Sequence, residues 1–368
     1  MIPMVNLRLL LDATEREWRA NLNRMFERMQ FIQGEQVSRF EEELAQAFGA
    51  GFAVAVGTGT AAIELGLRTA GVTCRSQEVI TSGLTSPFTA LAILAAGGTP
   101  RFADVDPDTL LIDAGDAEAR VTRRTAALVP VHLYGQPCNA ARWAAMGRKN
   151  GLALIQDGCQ AHGANWSGRP FTAFGASVAY SFYPTKNLAC LGDGGAVLTN
   201  SAATARQLRL LRDGGRKGDQ VSWIVAINSR LDEMQACYLR AFLPHLEEWN
   251  RERARLAELY DEALRDCAGA RPIKRVEGSV NHLYVIRSER RARLRDHLSK
   301  HGVMTGVHYP VALHRQPAFR DFAPKRGGLP NAERACSEVL SLPLWPYMGE
   351  AGVRELAERV RVFYGAAR

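Results

Sequence analysis

The sequence predicts an α/β protein with a mostly parallel sheet. Two observations carry that reading: strand-like and helix-like runs alternate from about Phe52 to Asn200, and several strand-like runs end in glycine-bearing loops. Phe52 to Val56, Glu78 to Thr81, Ala126 to Val131, Leu152 to Gln156, Ser177 to Tyr180 and Gly195 to Thr199 are short and mainly apolar, as buried strands are. An amphipathic helix of roughly Thr14 to Met29 precedes them, and its apolar stripe needs cover from a small domain or a second subunit. Leu239 through Asp266 reads as one or two helices rich in Arg, Glu, Ala and Leu. Beyond it lie a strand, Asn281 to Ile286, and a helix, Arg291 to His301. The expected division is residues 1–240 as a large domain and 241–368 as a smaller one.

With 368 residues, 46% of them hydrophobic, the chain can bury a large core and one appended domain. No apolar run has the length of a bilayer span, and Met1 to Arg8 lacks a signal-peptide core. Seven cysteines and eight histidines show no metal-ligand spacing, and the odd count of thiols points to a reducing cytoplasm. The 46 basic and 38 acidic residues leave +8, but the arginines are spread over helix-like segments among glutamates. That is a solvated face, without the clustering of a nucleic-acid groove. Nucleic acid, membrane and metal are not expected partners. Attraction for an anionic nucleotide-sugar is compatible with the charge.

Three segments carry chemistry. Lys186 stands in Ser181-Phe182-Tyr183-Pro184-Thr185-Lys186-Asn187-Leu188, between a strand and the glycine cluster Gly192 to Gly195. A lysine so placed is poorly solvated, loses its proton more readily, and as a neutral amine attacks an aldehyde. A Schiff-base lysine for pyridoxal phosphate requires this, although most lysines beside strands are surface lysines. Asp157 follows the strand Leu152 to Gln156 and opens the loop Gly158 to Gly163. At a strand's carboxyl end it can keep a pyridine nitrogen protonated, or simply form an Asx turn. Gln160 is placed to bond a ring hydroxyl. Gly57-Thr58-Gly59-Thr60-Ala61-Ala62 leads from a strand into a helix, so its N–H groups attract phosphate. It is neither a Walker motif nor a dinucleotide fingerprint.

These pieces, with Phe102 to Thr109, Val129 to Pro137, Asp157 to Ala164 and Asn228 to Ala236, resemble the DegT/StrS-type sugar aminotransferases, a branch of the fold-type I pyridoxal-phosphate enzymes. The likeness extends from Phe31 to Pro343. It implies a mostly parallel seven-stranded sheet in the large domain and an α+β small domain. It also implies that Lys186 carries the cofactor and shuttles a proton, Asp157 pairs with the pyridinium nitrogen, and Gln160 bonds the ring oxygen. Gly59, Thr60, Ala61 and Ser181 would hold the phosphate. Asn228 would reach the cofactor phosphate of a second subunit, so a homodimer with shared active sites is expected. Arg230 is expected on the substrate's diphosphate or the donor's carboxylate, or else in a salt bridge with Asp232 or Glu233. His308 and His314 lie in a loop resembling the family's substrate-side segment and are expected to touch substrate. His132 reads as a structural histidine and His162 as an organiser of its loop; Cys159 and Cys190 read as small buried fillers.

One position departs from the family pattern. Many relatives carry an aromatic residue that stacks on the cofactor ring where this chain has Ser86; Phe88 either replaces it or, as first reading, belongs to the core of the following helix. The resemblance implies transfer of an amine from L-glutamate or L-glutamine to a nucleotide-linked keto-sugar, with a dTDP-linked 3-keto-6-deoxyhexose favoured. A 4-keto nucleotide-sugar and a keto-inositol are the nearest competitors. Lys186, where the related dehydratases carry histidine, disfavours dehydration. A pyridoxal-phosphate-binding regulatory protein without turnover is the alternative from another class.

Overall fold

The computed structural model describes residues 1–218, 220–324 and 327–365. Among them, β1 (Phe52–Val56), β2 (Glu78–Ser82), β3 (Thr99–Ala103), β4 (Thr125–Val129), β5 (Ala153–Asp157), β6 (Ser177–Ser181) and β7 (Gly195–Thr199) form one sheet. β8 (Arg271–Pro272), β9 (Tyr284–Arg287) and β10 (Val339–Leu342) form a second, antiparallel one. The large sheet runs β1-β7-β6-β5-β4-β2-β3, and β7 alone opposes its neighbours. The expected mostly parallel seven-stranded sheet is therefore present. Alternation along each strand fixes which side chains face which layer. In β1, Ala53 and Ala55 pack with Phe40 and Leu44, while Val54 and Val56 pack with Ile63 and Leu65 on the opposite face.

All six strands expected here are found. β3, Thr99-Pro100-Arg101-Phe102-Ala103, gives no strand signal, because proline and arginine interrupt it just after Gly97-Gly98. It lies at the sheet's edge, where a residue without an N–H is tolerated, and Arg101 pairs with Glu78 of β2 at 3.2 Å. The strand expected from Asn281 begins only at Tyr284. Asn281 takes φ 45°, and His282 and Leu283 turn into the cavity described below.

The N-terminal amphipathic helix spans Glu15–Arg28 and packs on the helix Glu233–Phe242, with the Asn21 amide donating to the Cys237 carbonyl at 3.0 Å. It does not cover the C-terminal sheet; Met1 and Ile2 reach that region, Ile2 pairing with Val303. The helical stretch expected from Leu239 is two helices, Glu233–Phe242 and Leu246–Leu264, joined by the tight turn Leu243–His245. The second helix shares a separate core with the small sheet, through Leu256, Tyr260, Ile286, Leu340 and Leu356.

A single carboxylate ties the beginning of the chain to this frame. The helix Glu35–Ala47 starts at Gly34 without a side-chain cap of its own. Glu233 supplies the acceptor instead, taking hydrogen bonds from the N–H groups of Gly34 (2.8 Å), Gln36 (2.8 Å) and Val37 (2.9 Å). A buried anion at a helix start satisfies donors that no helix can satisfy itself. Glu233→Ala strands these donors, and we expect a loss on the order of 3 kcal/mol in urea unfolding. The fold and the far-ultraviolet spectrum should be retained.

Candidate active site

The carboxyl ends of β1, β5 and β6 open onto one cavity of about 480 Å³. Asp157, the last residue of β5, lies at its wall and is buried. Its Oδ2 accepts from the Thr89 hydroxyl at 2.8 Å, and its Oδ1 from the Cys159 N–H at 3.1 Å. Three residues on, the Gln160 side-chain oxygen accepts from the Tyr134 N–H at 2.7 Å. The Gln160 amide nitrogen donates to the Tyr309 hydroxyl at 3.0 Å, so this side chain has a fixed orientation.

Ser181 ends β6 and lines the cavity. Its carbonyl is held by His162 Nε2 at 2.8 Å, so His162 does tie its loop to the strand leading to the lysine. The lysine follows in a tight turn, with the Lys186 N–H donating to the Tyr183 carbonyl at 2.9 Å. Its side chain is half-buried, and desolvation lowers its affinity for a proton against the opposing pull of the Cys159 and Asp157 side chains. Burial also pushes the Cys159 thiol well above its ordinary range, which leaves it a filler and no nucleophile. Cys190 is buried, whereas Cys159 is only partly so, and the Cys190 thiol donates to the Phe182 carbonyl at 3.1 Å.

Thr58 caps the helix Gly59–Thr69 through a bond from the Ala61 N–H at 3.0 Å. The N–H groups of Gly59 and Thr60 have no intrahelical acceptor, as at any helix start. Glycine is required at two places here. A Cβ on Gly59 would stand 2.5 Å from the Ser181 Cβ, and one on Gly195 would stand 2.4 Å from the Thr58 carbonyl oxygen. Without side chains at both, the helix start seats directly against the ends of β6 and β7.

The structure thus brings together Gly59, Thr60, Asp157, Gln160, Ser181, Lys186 and His308 around one cavity. Other expected residues lie elsewhere. Ala61 is not part of the wall, and its N–H already serves Thr58. His314 is turned away and buried, its Nε2 paired with Glu333 at 2.8 Å. Asn228 forms a backbone bridge with Asp213, and Arg230 pairs with Asp213 at 3.0 Å, not with Asp232 or Glu233. Neither lines the pocket of its own chain. Phe88 is no core residue: it sits in the first turn of the helix Pro87–Ala95, 58% exposed, at the cavity wall. Ser86 caps that helix, accepting from the Phe88 N–H at 3.4 Å. Thr89, Tyr309 and His282 are wall residues that sequence reasoning missed. A hydroxyl one helical turn after Thr85 was the only available signal for Thr89.

A bare helix start, a hydrogen-bonded carboxylate, an oriented amide and a desolvated amine fit pyridoxal phosphate in charge and in shape. Fold and site together define a pyridoxal-phosphate enzyme of fold-type I. Residues 12–361 match the model of the DegT/DnrJ/EryC1/StrS aminotransferase family, and the chain belongs to that family. It is 38% identical to a dTDP-3-amino-3,4,6-trideoxy-alpha-D-glucose transaminase of Streptomyces venezuelae, over 98% of this chain and 97% of that one. A pleiotropic regulatory protein of Geobacillus stearothermophilus is also 38% identical, over 99% and 98% of the two chains. The crystal structure of S. venezuelae DesV in complex with a ketimine intermediate superposes with a TM-score of 0.96 at 36% identity, covering 100% of this chain and 99% of that one.

Two predictions come from this geometry. Thr89→Val removes one charge-assisted bond from Asp157, so bound cofactor should be lost about tenfold more readily on dialysis, read from visible absorbance. The second concerns pH. Burial, first among the causes, lowers His132 and His162 to about 3 and His308 to about 4, from 6.5. The unfolded chain therefore binds these protons more tightly than the folded one. Their contribution to stability is intact above pH 6.5 and is lost as pH falls toward 4. By pH 5 it should cost on the order of 2 kcal/mol per histidine, measurable as a declining Tm.

Proposed function

We propose that the protein moves the amino group of L-glutamate, or L-glutamine, to carbon 3 of a dTDP-linked 3-keto-6-deoxyhexose. The product would be a 3-amino-3,6-dideoxyhexose for polysaccharide, O-antigen or antibiotic assembly. One observation carries the chemistry: the Lys186 amine lies in the same cavity as the Asp157 carboxylate and a bare helix start. The transaminase relative from S. venezuelae supports the choice of a 3-amino sugar.

When bound, pyridoxal phosphate supplies an aldehyde that exchanges amines and a conjugated ring that accepts the electron pair freed at the donor's α-carbon. Lys186 is the residue that holds the aldehyde; once released, its amine takes the α-proton and delivers it on the other side of the exchange. Burial keeps that amine closer to neutrality than an exposed lysine would be. Asp157, oriented by Thr89 and the Cys159 N–H, holds the ring nitrogen's proton. Gln160 has its amide hydrogens turned toward Tyr309 and serves the ring oxygen. The N–H groups of Gly59 and Thr60, with the Ser181 hydroxyl, bind the phosphate.

We place substrate against His308 and Tyr309, and assign Phe88 to the rim. A homodimer completes the site in this reading: Asn228 of the partner subunit reaches the phosphate, and the partner subunit's Arg230 meets the diphosphate or the donor carboxylate. Residues 1–240 form the cofactor-binding part and 241–368 the smaller one; the separate core around Leu256 and Tyr260 supports that boundary. The site of action is the cytoplasm. The regulatory alternative draws support from the names of two relatives, the Geobacillus pleiotropic regulatory protein and a sensory transduction protein of Saccharopolyspora erythraea, and the joint presence of Asp157, Gln160, Ser181 and Lys186 in one cavity speaks against it.

Lys186→Ala should abolish the visible band of the resting enzyme and lower amine transfer at least about a thousandfold, with Tm changed by only a few degrees. Purified enzyme supplied with L-glutamate should aminate 3-keto sugars in preference to 4-keto sugars and keto-inositols. Equal or reversed preference in a mass-spectrometric assay refutes the sugar assignment.

A further inference from the structure

His282 precedes β9 and has no role in the reading above. It is buried and lines the cavity beside Lys186. Its Nδ1 lies 3.1 Å from the side-chain oxygen of Asn187, the residue that follows the lysine. Which ring nitrogen carries the proton follows from two backbone carbonyls. The Asn250 side-chain nitrogen donates to the His162 carbonyl at 2.8 Å, so the Asn250 side-chain oxygen is an acceptor. It accepts from the Asn187 side-chain nitrogen at 2.8 Å, and that same nitrogen donates to the Val280 carbonyl at 3.0 Å. The Asn187 oxygen is therefore also an acceptor, and Nδ1 of His282 must be the donor.

The ring holds only one proton. Burial, then Lys186, Arg253, His162 and His308, keep its affinity for a second proton well below the ordinary histidine range. With Nδ1–H engaged by Asn187, Nε2 is a bare lone pair on the cavity side. Lys186, for its part, has an amine with no hydrogen-bond partner among the described residues. An amine that takes up a proton in this cavity becomes an ammonium, and a desolvated ammonium needs acceptors.

We propose that His282 is a positioning residue for Lys186: its Nε2 lone pair, left open by the Asn250–Asn187 amide chain, accepts a hydrogen bond from the lysine ammonium formed when the freed amine takes the donor's α-proton. The inference rests on the aminotransferase reading and adds a residue to it. No covalent change occurs at His282. The proton remains on the lysine nitrogen until it is delivered, and the imidazole only holds that nitrogen in place.

Two substitutions separate this role from a purely structural one. His282→Asn keeps a donor where Nδ1 stood and so preserves the bond to Asn187, but removes the acceptor on the cavity side. His282→Gln places an amide oxygen near the position of Nε2 and gives up the bond to Asn187. The readout is the single-turnover spectral change of the holoenzyme with L-glutamate, recorded with cofactor content and Tm. His282→Asn should slow it roughly 10–100-fold with KM for glutamate within about threefold, and His282→Gln should recover most of the rate. The reverse order, or two variants as fast as the wild type, overturns the proposal.

Asn187→Asp tests the same point without altering the histidine. A carboxylate against Nδ1–H raises the imidazole's affinity for a second proton, so Nε2 is blocked at low pH. The loss of rate should be at least about tenfold greater at pH 6 than at pH 9; a loss independent of pH contradicts the proposal. A wild-type holoenzyme whose spectrum no amino donor changes overturns the aminotransferase reading together with this one. A responsive wild type with the wrong order of variants overturns this one alone.

Discussion

The site depends on one constraint: an amine and a carboxylate share one cavity whose walls withdraw both in part from bulk water. Burial disfavours the ammonium form of Lys186, while the negative charge of Asp157 favours it, and burial is the larger effect. Were the carboxylate alone decisive, the lysine would remain a spectator cation. Were burial unopposed, the side chain would have little reason to stay beside polar neighbours. The parallel sheet makes the compromise possible, because β5 and β6 are neighbours and deliver Asp157 and Ser181 to the same edge. Lys186 then needs only the short turn after Ser181 to come back over that edge.

Desolvation also governs the histidines in and behind the wall. His162, His282 and His308 all lose affinity for a proton through burial and through the nearby lysine charge. Neutral rings can then serve as single donors or acceptors with a definite tautomer, which charged rings could not do. Backbone groups orient several polar side chains in and behind the wall: Gln160 by the Tyr134 N–H, His162 by the Ser181 carbonyl, Asn250 by the His162 carbonyl. Backbone groups are less movable partners than side chains, and one of these, the Ser181 carbonyl, belongs to the sheet itself.

What the sequence disclosed follows from the range of each signal. Lys186, Asp157 and the Gly57–Ala62 turn are readable because their meaning lies in adjacent residues: a strand, then a glycine, then a helix start. The strands of the large sheet are readable because apolar runs between turns have few alternatives. β3 escaped because its edge position licenses the proline that hides it. Thr89 escaped because its partner, Asp157, is 68 positions away. His314 misled because it stands six positions after His308, yet the turn Leu313–Arg315 swings it onto Glu333, a residue no local pattern connects to it. Phe88 misled for a related reason. An apolar residue in the first turn of an apolar helix reads as core, whereas that turn projects over the cavity mouth.

Charge explains why a second subunit belongs in the proposed function. A nucleotide-linked sugar brings a diphosphate, and an amino donor brings a carboxylate. Among the described residues lining this cavity, Lys186 is the sole lysine or arginine, and the proposed function commits it to the cofactor. In the proposed function the bare N–H groups of Gly59 and Thr60 serve one phosphate, the cofactor's own. An oxyanion drawn into this cavity without a cation would meet a desolvation cost that neutral hydroxyls and imidazoles offset only in part. The chain does possess a guanidinium close by in sequence to the segment that meets the Gly57 turn: Ser229 accepts the Gly57 N–H at 3.1 Å, and Arg230 is next. In its own chain Arg230 is paired with Asp213 and stays outside the cavity. In the proposed homodimer, a second copy of this chain presenting Asn228 and Arg230 across the mouth would supply that positive charge.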